Sequence, residues 1–574
     1  MAHRIISTNK ARCRDCYRCV RVCPAKAIRI ADGQAQVDNE RCIACGMCVR
    51  ECPQEAKVVR DDLQMVKGLF IGAGPVIASV APSYVAAFQD IGPANLVGRL
   101  KKLGFDMVTE TAVGAEMVAR WSAEMISNPE HSFISSACPS LVDYINKYHP
   151  WASSLITPVA SPMVAHARYL KQKYGPDTRV VFIGPCPAKK AEGETSEGAV
   201  DAVLTFEELR EWMGSAGWLM ENAAPAEMDD LPAARARLFP LEGGLASSAA
   251  KPSDMLMPDF IAVSGPTEID EMLGSVATRE KPLFVEGLFC AGGCINGACF
   301  GKGKSFFERR DALLNYEGRA SHRSDDTQLR DAMVGVTGEV EVKPNPIETT
   351  QFSEAQIAQV LDRIGKKTAE DELNCGACGY ASCRDNALAV LSGMAEDTMC
   401  IPWMRKVAER KADRIIDASP NGIVIVNSQM EIVEFNSAFA KLFACTPALV
   451  GKPLSILMDP ADFEKVLASA NEQILNKHVS FQSYGFKGVL SVYKLDDGSQ
   501  VVGVLSDINT GVEQSGRLEQ IRQETLESAE QVIQKQMLMA QEIASILGET
   551  TSETRVLLRK LIALTREENQ EPRK

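Results

Sequence analysis

One cysteine spacing occurs twice near the start of the chain. Cys13, Cys16, Cys19 and Cys23 are followed by Pro24, and Cys42, Cys45, Cys48 and Cys52 by Pro53, so both segments read C-x2-C-x2-C-x3-C-P. A tight loop of this kind presents three soft thiolates to one centre, and soft ligands suit iron–sulfur clusters. Paired zinc sites would draw on the same donors, but two copies closed by proline favour iron–sulfur. The whole chain holds 18 cysteines against 6 histidines. Its first residues, MAHRIISTNKARC, contain no apolar export signal. Metal ligation in a reducing cytoplasm is therefore the expectation, rather than a disulfide framework.

The doubled spacing resembles the bacterial two-cluster ferredoxins, in which the fourth cysteine of each run serves the other cluster. The resemblance implies one 4Fe-4S cluster on Cys13, Cys16, Cys19 and Cys52, and another on Cys42, Cys45, Cys48 and Cys23. The first 58 residues carry 11 Lys and Arg against 6 Asp and Glu. Two oxidised clusters with their thiolates would largely offset that excess, so compensation is a simpler reading than a docking patch. A third set, Cys375, Cys378, Cys383 and Cys400, opens in NCGACGYASC. Gly376 and Gly379 let the backbone bend round a cluster, and the helical pattern after Cys383 would bring Cys400 back. This set resembles the small four-cysteine iron–sulfur domain found beside redox enzymes of anaerobes; a zinc knuckle is the alternative.

At roughly 150 residues per domain, a chain of this length accommodates about four domains. No apolar run approaches the ~18 residues of a membrane span. A net charge of −13 argues against general nucleic-acid binding. GAGPVIA, at Gly72–Ala78, lacks the third glycine and the acidic partner of a dinucleotide loop. His131, His149 and His166 have no ligand spacing and read as surface or core residues.

Four further cysteines lie far apart in short Gly/Pro-marked motifs: SSACPS, FIGPCPAKK and EGLFCAGGCINGAC. Ligands scattered over separate loops suit an enclosed cofactor. These motifs resemble those of the FeFe-hydrogenases over about residues 61–350. The resemblance implies an H-cluster: a 4Fe-4S cubane joined to a di-iron unit with CO, cyanide and a bridging azadithiolate. Cys138, Cys186, Cys290 and Cys294 would bind the cubane, and Cys294 would bridge to the di-iron unit. Lys189 would donate to a cyanide ligand, as suits a compact three-donor cation. Ser136, Pro139, Pro185, Gly292 and Gly293 also match. The departures carry the functional information. Ala137 stands where hydrogen-producing members have a proton-relay cysteine, and a methyl group cannot relay a proton. Gly184 and Leu288 replace two methionines that flank the di-iron unit, and Ala291 replaces a proline. The ligands are kept while the groups for fast turnover are gone. Cys299 and Cys445 read as buried small residues.

After Cys400 the pattern changes. Alternation at Ile423–Val426 and Ile432–Phe435 around a turn at Asn427–Gln429 predicts a hairpin, followed by a helix. Further strands are expected at SFQSYGF, VLSVYKL and QVVGVLSDI, with a turn at Asp496–Gly498. This stretch resembles a PAS domain. It lacks the reactive-cysteine motif of a photoactive flavin version, and His478 is its one candidate haem ligand. Beyond it, Leu526, Ala529, Ile533, Met537, Ala540, Ala544 and Leu547 line one helical face, and Thr554–Leu564 is a second helical piece. This tail either packs on the PAS domain or acts as a dimerising signalling helix.

The chain is therefore expected to be multidomain, α/β and α+β. Its parts are a two-cluster ferredoxin-like domain (1–60), an H-cluster domain (61–352), a four-Cys iron–sulfur domain (353–408), a PAS domain (409–510) and a helical tail (511–574). This order resembles the sensory FeFe-hydrogenases. The resemblance implies a cytoplasmic, homodimeric oxidoreductase of low turnover that binds or slowly oxidises H2. Three clusters would serve it outside the H-cluster, and it would signal to a downstream protein, with CO as another input and a ferredoxin as a redox partner. The alternatives are a fully catalytic hydrogenase and an electron-transfer or redox-sensing protein without a di-iron unit.

Overall fold

The computed structural model describes residues 4–508, apart from 128, 130, 218–219, 221–222, 232–234, 250–258, 302, 319–325, 349, 470–472 and 496–498. The tail face from Leu526 to Leu547, the piece Thr554–Leu564 and the turn at Asp496–Gly498 lie outside the described residues. The chain divides between Asp397 and Thr398 into two compact units.

The first unit opens with a small module. Strands Ile6–Thr8 and Lys57–Val59 pair antiparallel, as do Ile28–Ala31 and Gln34–Val37. The short helices Arg18–Val22 and Met47–Arg50 complete it. Ile6, Val20, Ile28, Ile30 and Ile43 fill its interior.

Two parallel sheets follow. The larger runs in the order Met107–Glu110, Val76–Val80, Arg179–Gly184, Ala202–Thr205. VIASV and AVLT are buried at every position, as strands covered on both faces must be. The smaller sheet runs Phe260–Ser264, Phe284–Leu288, Phe133–Ile134. Gly72 and Gly74 stand at the entry to strand Val76–Val80 rather than after a strand, so this segment is not a dinucleotide loop. His166 is wholly buried and its Nδ1 lies 2.8 Å from Ser79 Oγ, while His131 is exposed. Later in this unit, helices Glu354–Arg363 and Cys383–Leu391 each start with a capping box, from Ser353 and Ser382.

The second unit opens with helix Ile401–Ala418 and holds the shorter helices Ser437–Leu442 and Ala461–Ala468 and a five-stranded antiparallel sheet. The sheet order is Ile432–Phe435, Gly422–Asn427, Gln500–Asp507, Phe486–Lys494, Ile474–Phe481. Phe439, Phe443, Phe463, Leu490, Val501 and Leu505 form its core. SFQSYGF is not one strand. It ends one strand at Phe481, turns through Gln482–Tyr484, and starts the next at Phe486 after Gly485 at φ +71°. The aromatic alternation that suggests a strand comes from Phe481 and Phe486 facing each other across the turn, rings 4.8 Å apart. His478 is exposed, and Cys445 is half-buried against the core rather than inside it.

Candidate metal centre

The two loops of the first module are copies displaced by 29 residues, as Cys13 and Cys42 are. Non-glycine residues and one glycine adopt left-handed conformations at matching places: Asp15 with Ala44, Tyr17 with Gly46, Lys26 with Glu55. The Ala27 amide donates to Cys23 Sγ and the Ala56 amide to Cys52 Sγ, both at 3.3 Å. Each backbone is thus folded to turn its sulfurs inward.

The thiols sort into two groups by the charges they feel. Cys19 is surrounded by Cys16, Cys13 and Cys52. Cys45 is surrounded by Cys23, Cys48 and Cys42. Cys23 thus acts on Cys42, Cys45 and Cys48 of the second run, and Cys52 acts on Cys19 of the first. Burial pushes the Cys19 thiol up to about 12 and Cys42 up to about 11, with neighbouring thiols adding to it. Cationic iron reverses that penalty, because thiolate is the ligating form. Among the described residues no three His, Cys, Asp or Glu side chains converge as they would on a single ion.

The second site forms where three strands end. Strand Arg179–Gly184 runs into Pro185 and Cys186, strand Phe133–Ile134 leads through Ser136 to Cys138, and strand Phe284–Leu288 leads to Cys290. Ligand sites of parallel sheets characteristically lie beyond such carboxyl ends. Pro139 opens the helix that follows Cys138, spanning Pro139–Tyr148. Gly292 and Gly293 take φ +76° and +87°, and a side chain at Gly293 would strike the Pro240 carbonyl. That carbonyl accepts from the Cys294 amide at 2.7 Å, which fixes the end of the third loop. Ser136 Oγ donates to the Val159 carbonyl, anchoring the first loop.

These loops bring Cys138, Cys186, Cys290 and Cys294 into one another's fields. Burial and the neighbouring Cys138 push Cys186 up to about 11. Lys189 is the positive charge facing Cys138, Cys186 and Cys294. Its Nζ donates to Glu192 Oε2 at 2.7 Å and to the Ala137 carbonyl at 3.4 Å. A carbon added at Gly184 would lie 2.6 Å from the Phe182 ring, so that ring occupies the space a longer side chain would need. Leu288 is buried, and Cys299 is fully buried, its amide donating to the Pro185 carbonyl at 3.1 Å.

Two further groups gave no signal in the sequence. Glu192 lies one helical turn from Lys189 and holds its ammonium. Glu286, on strand Phe284–Leu288, is buried, accepts from the Leu245 and Ala246 amides at 3.1 and 3.3 Å, and acts on Cys294. Burial lifts its carboxyl to about 7.

The helix Pro139–Tyr148 joins the two sites. It starts beside Cys138, and at its far end Lys147 Nζ donates to the Cys42 carbonyl at 2.7 Å. Tyr148 Oη donates to the Arg41 and Ala25 carbonyls at 2.7 and 2.9 Å.

In the third set, Cys375 is exposed and Cys383 is buried. Gly376 and Gly379 take φ +69° and +96°, and the Cys383 amide donates to Asn374 Oδ1 at 2.8 Å. Lys26 Nζ donates to the Gly379 carbonyl and Arg21 to the Ala377 carbonyl, so this loop is seated on the first module. Cys400 lies in the second unit, at the start of helix Ile401–Ala418.

Four family profiles match. They are the iron-only hydrogenase large subunit, C-terminal domain, over residues 74–298; a 4Fe-4S dicluster domain over 5–53; an Fe-S cluster family over 371–402; and the PAS fold over 410–504. Iron hydrogenase 1 of Clostridium pasteurianum is 23% identical over 283 residues, 39% of this chain and 49% of that protein. The cytosolic Fe-S cluster assembly factor NAR1 of Meyerozyma guilliermondii is 30% identical over 151 residues, 23% of this chain and 28% of that protein. The chain thus spans about half or less of the length of the curated relatives it matches. A solved FeFe-hydrogenase from Chlamydomonas reinhardtii superposes with a TM-score of 0.40 at 17% identity, over 49% of this chain and 95% of that one. Among the described residues no helix is long and apolar enough to cross a membrane. The chain is a multidomain α/β protein that carries a 4Fe-4S dicluster domain, the C-terminal domain of an iron-only hydrogenase large subunit, a further Fe-S domain and a PAS fold.

Proposed function

We propose that this chain is a sensory FeFe-hydrogenase that binds or slowly oxidises H2 and passes the resulting state to a partner regulator. The observation that carries the reading is Ala137. Its methyl group stands where the resemblance to hydrogen-producing members expects a relay cysteine, beside Lys189 and thiols that act on one another. The donor set suits an H-cluster: Cys138, Cys186, Cys290 and Cys294 would hold it, with Lys189 aimed at an anionic ligand. When bound, that cofactor would supply H2 activation and electron uptake. The chain's own residues would hold it and, at Ala137, would offer no side-chain proton path. Slow discharge suits a sensor, which must keep a state long enough to be read. The PAS domain supports a signalling output, which requires an element with two arrangements. A homodimer in the cytoplasm, acting on a separate signalling protein, completes the proposal.

A second reading is an Fe-S protein without a di-iron unit. The Phe182 ring packed into the Gly184 space favours it, as does the similarity to assembly factors. Infrared spectroscopy of maturase-treated protein separates the two. CO and cyanide bands are expected on the first reading; their absence, with the cubanes present, selects the second.

A further inference from the structure

The 29-residue repeat of the dicluster domain is broken at one buried position. The segment after Cys23 reads PAKAIRI and that after Cys52 reads PQEAKVV, so Ile28 and Lys57 are equivalent. Each is the first residue of a strand, Ile28–Ala31 and Lys57–Val59. Both are buried, Ile28 at 1% exposure and Lys57 at 4%. An ammonium therefore occupies the place where the other half of the repeat has a hydrocarbon.

Burying an ammonium costs several kcal/mol unless opposite charge repays it. Lys57 Nζ donates to Thr8 Oγ1 at 2.6 Å and to the Ala35 carbonyl at 3.1 Å, both neutral acceptors. Among the described residues no carboxylate bonds to it. The groups whose thiolate form its charge favours are cysteines from both sets: Cys19 of the first, and Cys23 and Cys48 of the second. The repeat thus places one buried positive charge where it acts on cysteines of both sets.

We infer that Lys57 is a shared electrostatic element that raises the reduction potentials of both 4Fe-4S clusters of the dicluster domain together. An oxidised cubane with four thiolates carries a net charge of about −2, and one-electron reduction makes it more negative. A fixed ammonium in a low-dielectric interior favours the more negative state. One charge facing both clusters moves both couples in the same direction, which keeps them close in potential. This role is positioning and electrostatic, since Lys57 does not take part in ligation. It rests on the dicluster domain and not on the sensory reading.

The test is an EPR-monitored redox titration of the full-length chain reconstituted with iron and sulfide. Wild type is compared with Lys57→Met, which keeps length and removes charge, and with Lys57→Arg, which keeps charge. In Lys57→Met both dicluster couples are expected to fall by at least tenfold in their reduction equilibrium, about 59 mV for a one-electron couple. Lys57→Arg should stay near wild type, and the remaining clusters should not move. Unchanged potentials, or a shift of one dicluster couple alone, would overturn the inference. If Lys57→Met fails to hold iron, Lys57→Gln, neutral but still able to donate to Thr8 and Ala35, is titrated in its place under the same criteria. Loss of iron from both neutral variants, with retention in Lys57→Arg, would assign Lys57 to assembly and equally overturn a role in potential.

Discussion

The Lys189 ammonium lies 3.4 Å from the main-chain oxygen of Ala137, while the Ala137 side chain offers only a methyl group. Residue 137, the relay position on the proposed reading, thus contributes a backbone acceptor and no side-chain proton. Replacing it with cysteine restores a titratable group at the same place. Ala137→Cys in matured protein is expected to raise H2 turnover by about 10²–10⁴-fold, the usual range for positioned acid–base catalysis. Equal rates for wild type and variant in a dye-linked H2 oxidation assay would remove the case for slow chemistry.

Gly184 faces the Phe182 ring, so methionine there meets an occupied space. Gly184→Met is expected to cost about 1–3 kcal/mol through overpacking. The double variant with Phe182→Leu should recover much of that loss. Denaturant midpoints of the three proteins check this, and additive effects would show that the two positions do not share one volume.

Lys190 is fully buried, with Nζ at 2.9 Å from both Asp62 Oδ2 and Glu208 Oε1. Its partners join the chain just after the dicluster domain to the hydrogenase domain. Lys190→Met leaves two buried carboxylates without their cation and should cost about 3–5 kcal/mol. Lys343→Ala, which removes a solvent-exposed pair with Glu341, should leave the unfolding midpoint unchanged. A mild effect of Lys190→Met would mean that Arg60 alone satisfies Asp62.

Burial holds the His166 imidazole down at about 4. The folded state therefore binds fewer protons there than the unfolded chain, whose histidine titrates near 6.5. Stability from this group is fully present above about pH 6.5 and is lost as pH falls toward 4. At 1.36 kcal/mol per pKa unit the loss reaches roughly 3 kcal/mol. His166→Gln should flatten this part of the pH profile. Parallel profiles for variant and wild type in chemical denaturation between pH 7 and 4.5 would contradict the assignment.

The dicluster domain was legible because ligand spacing is local: each loop supplies three thiols from seven residues. The grouping at Cys138, Cys186, Cys290 and Cys294 was legible only through resemblance. No spacing rule connects loops that two separate sheets bring together. The PAS hairpin at Gly422–Phe435 could be read from alternation, but SFQSYGF could not, because a tight turn flanked by aromatics has the composition of a strand. Glu192 and Glu286 left no trace, since a charged residue on a helix or strand reads as a solvated face until the fold buries it. Lys57 differs from its repeat equivalent Ile28, but a lone lysine in a basic segment reads as a solvated residue. Its meaning needed the structure, which shows that the position is interior.

The helix Pro139–Tyr148 begins beside one candidate cofactor ligand and ends bonded to the loop of another. At 1.5 Å per residue its ten residues measure about 15 Å. The separation between the two candidate cofactor sites is thus set by a count of helical residues rather than by flexible loops. Inserting one residue would lengthen that ruler slightly but turn its far end by about 100°, swinging Lys147 and Tyr148 off the Cys42 loop. Side chains along this helix other than those that bond the Cys42 loop can vary while the spacing is kept, but the helix's length cannot change by one residue without releasing that loop.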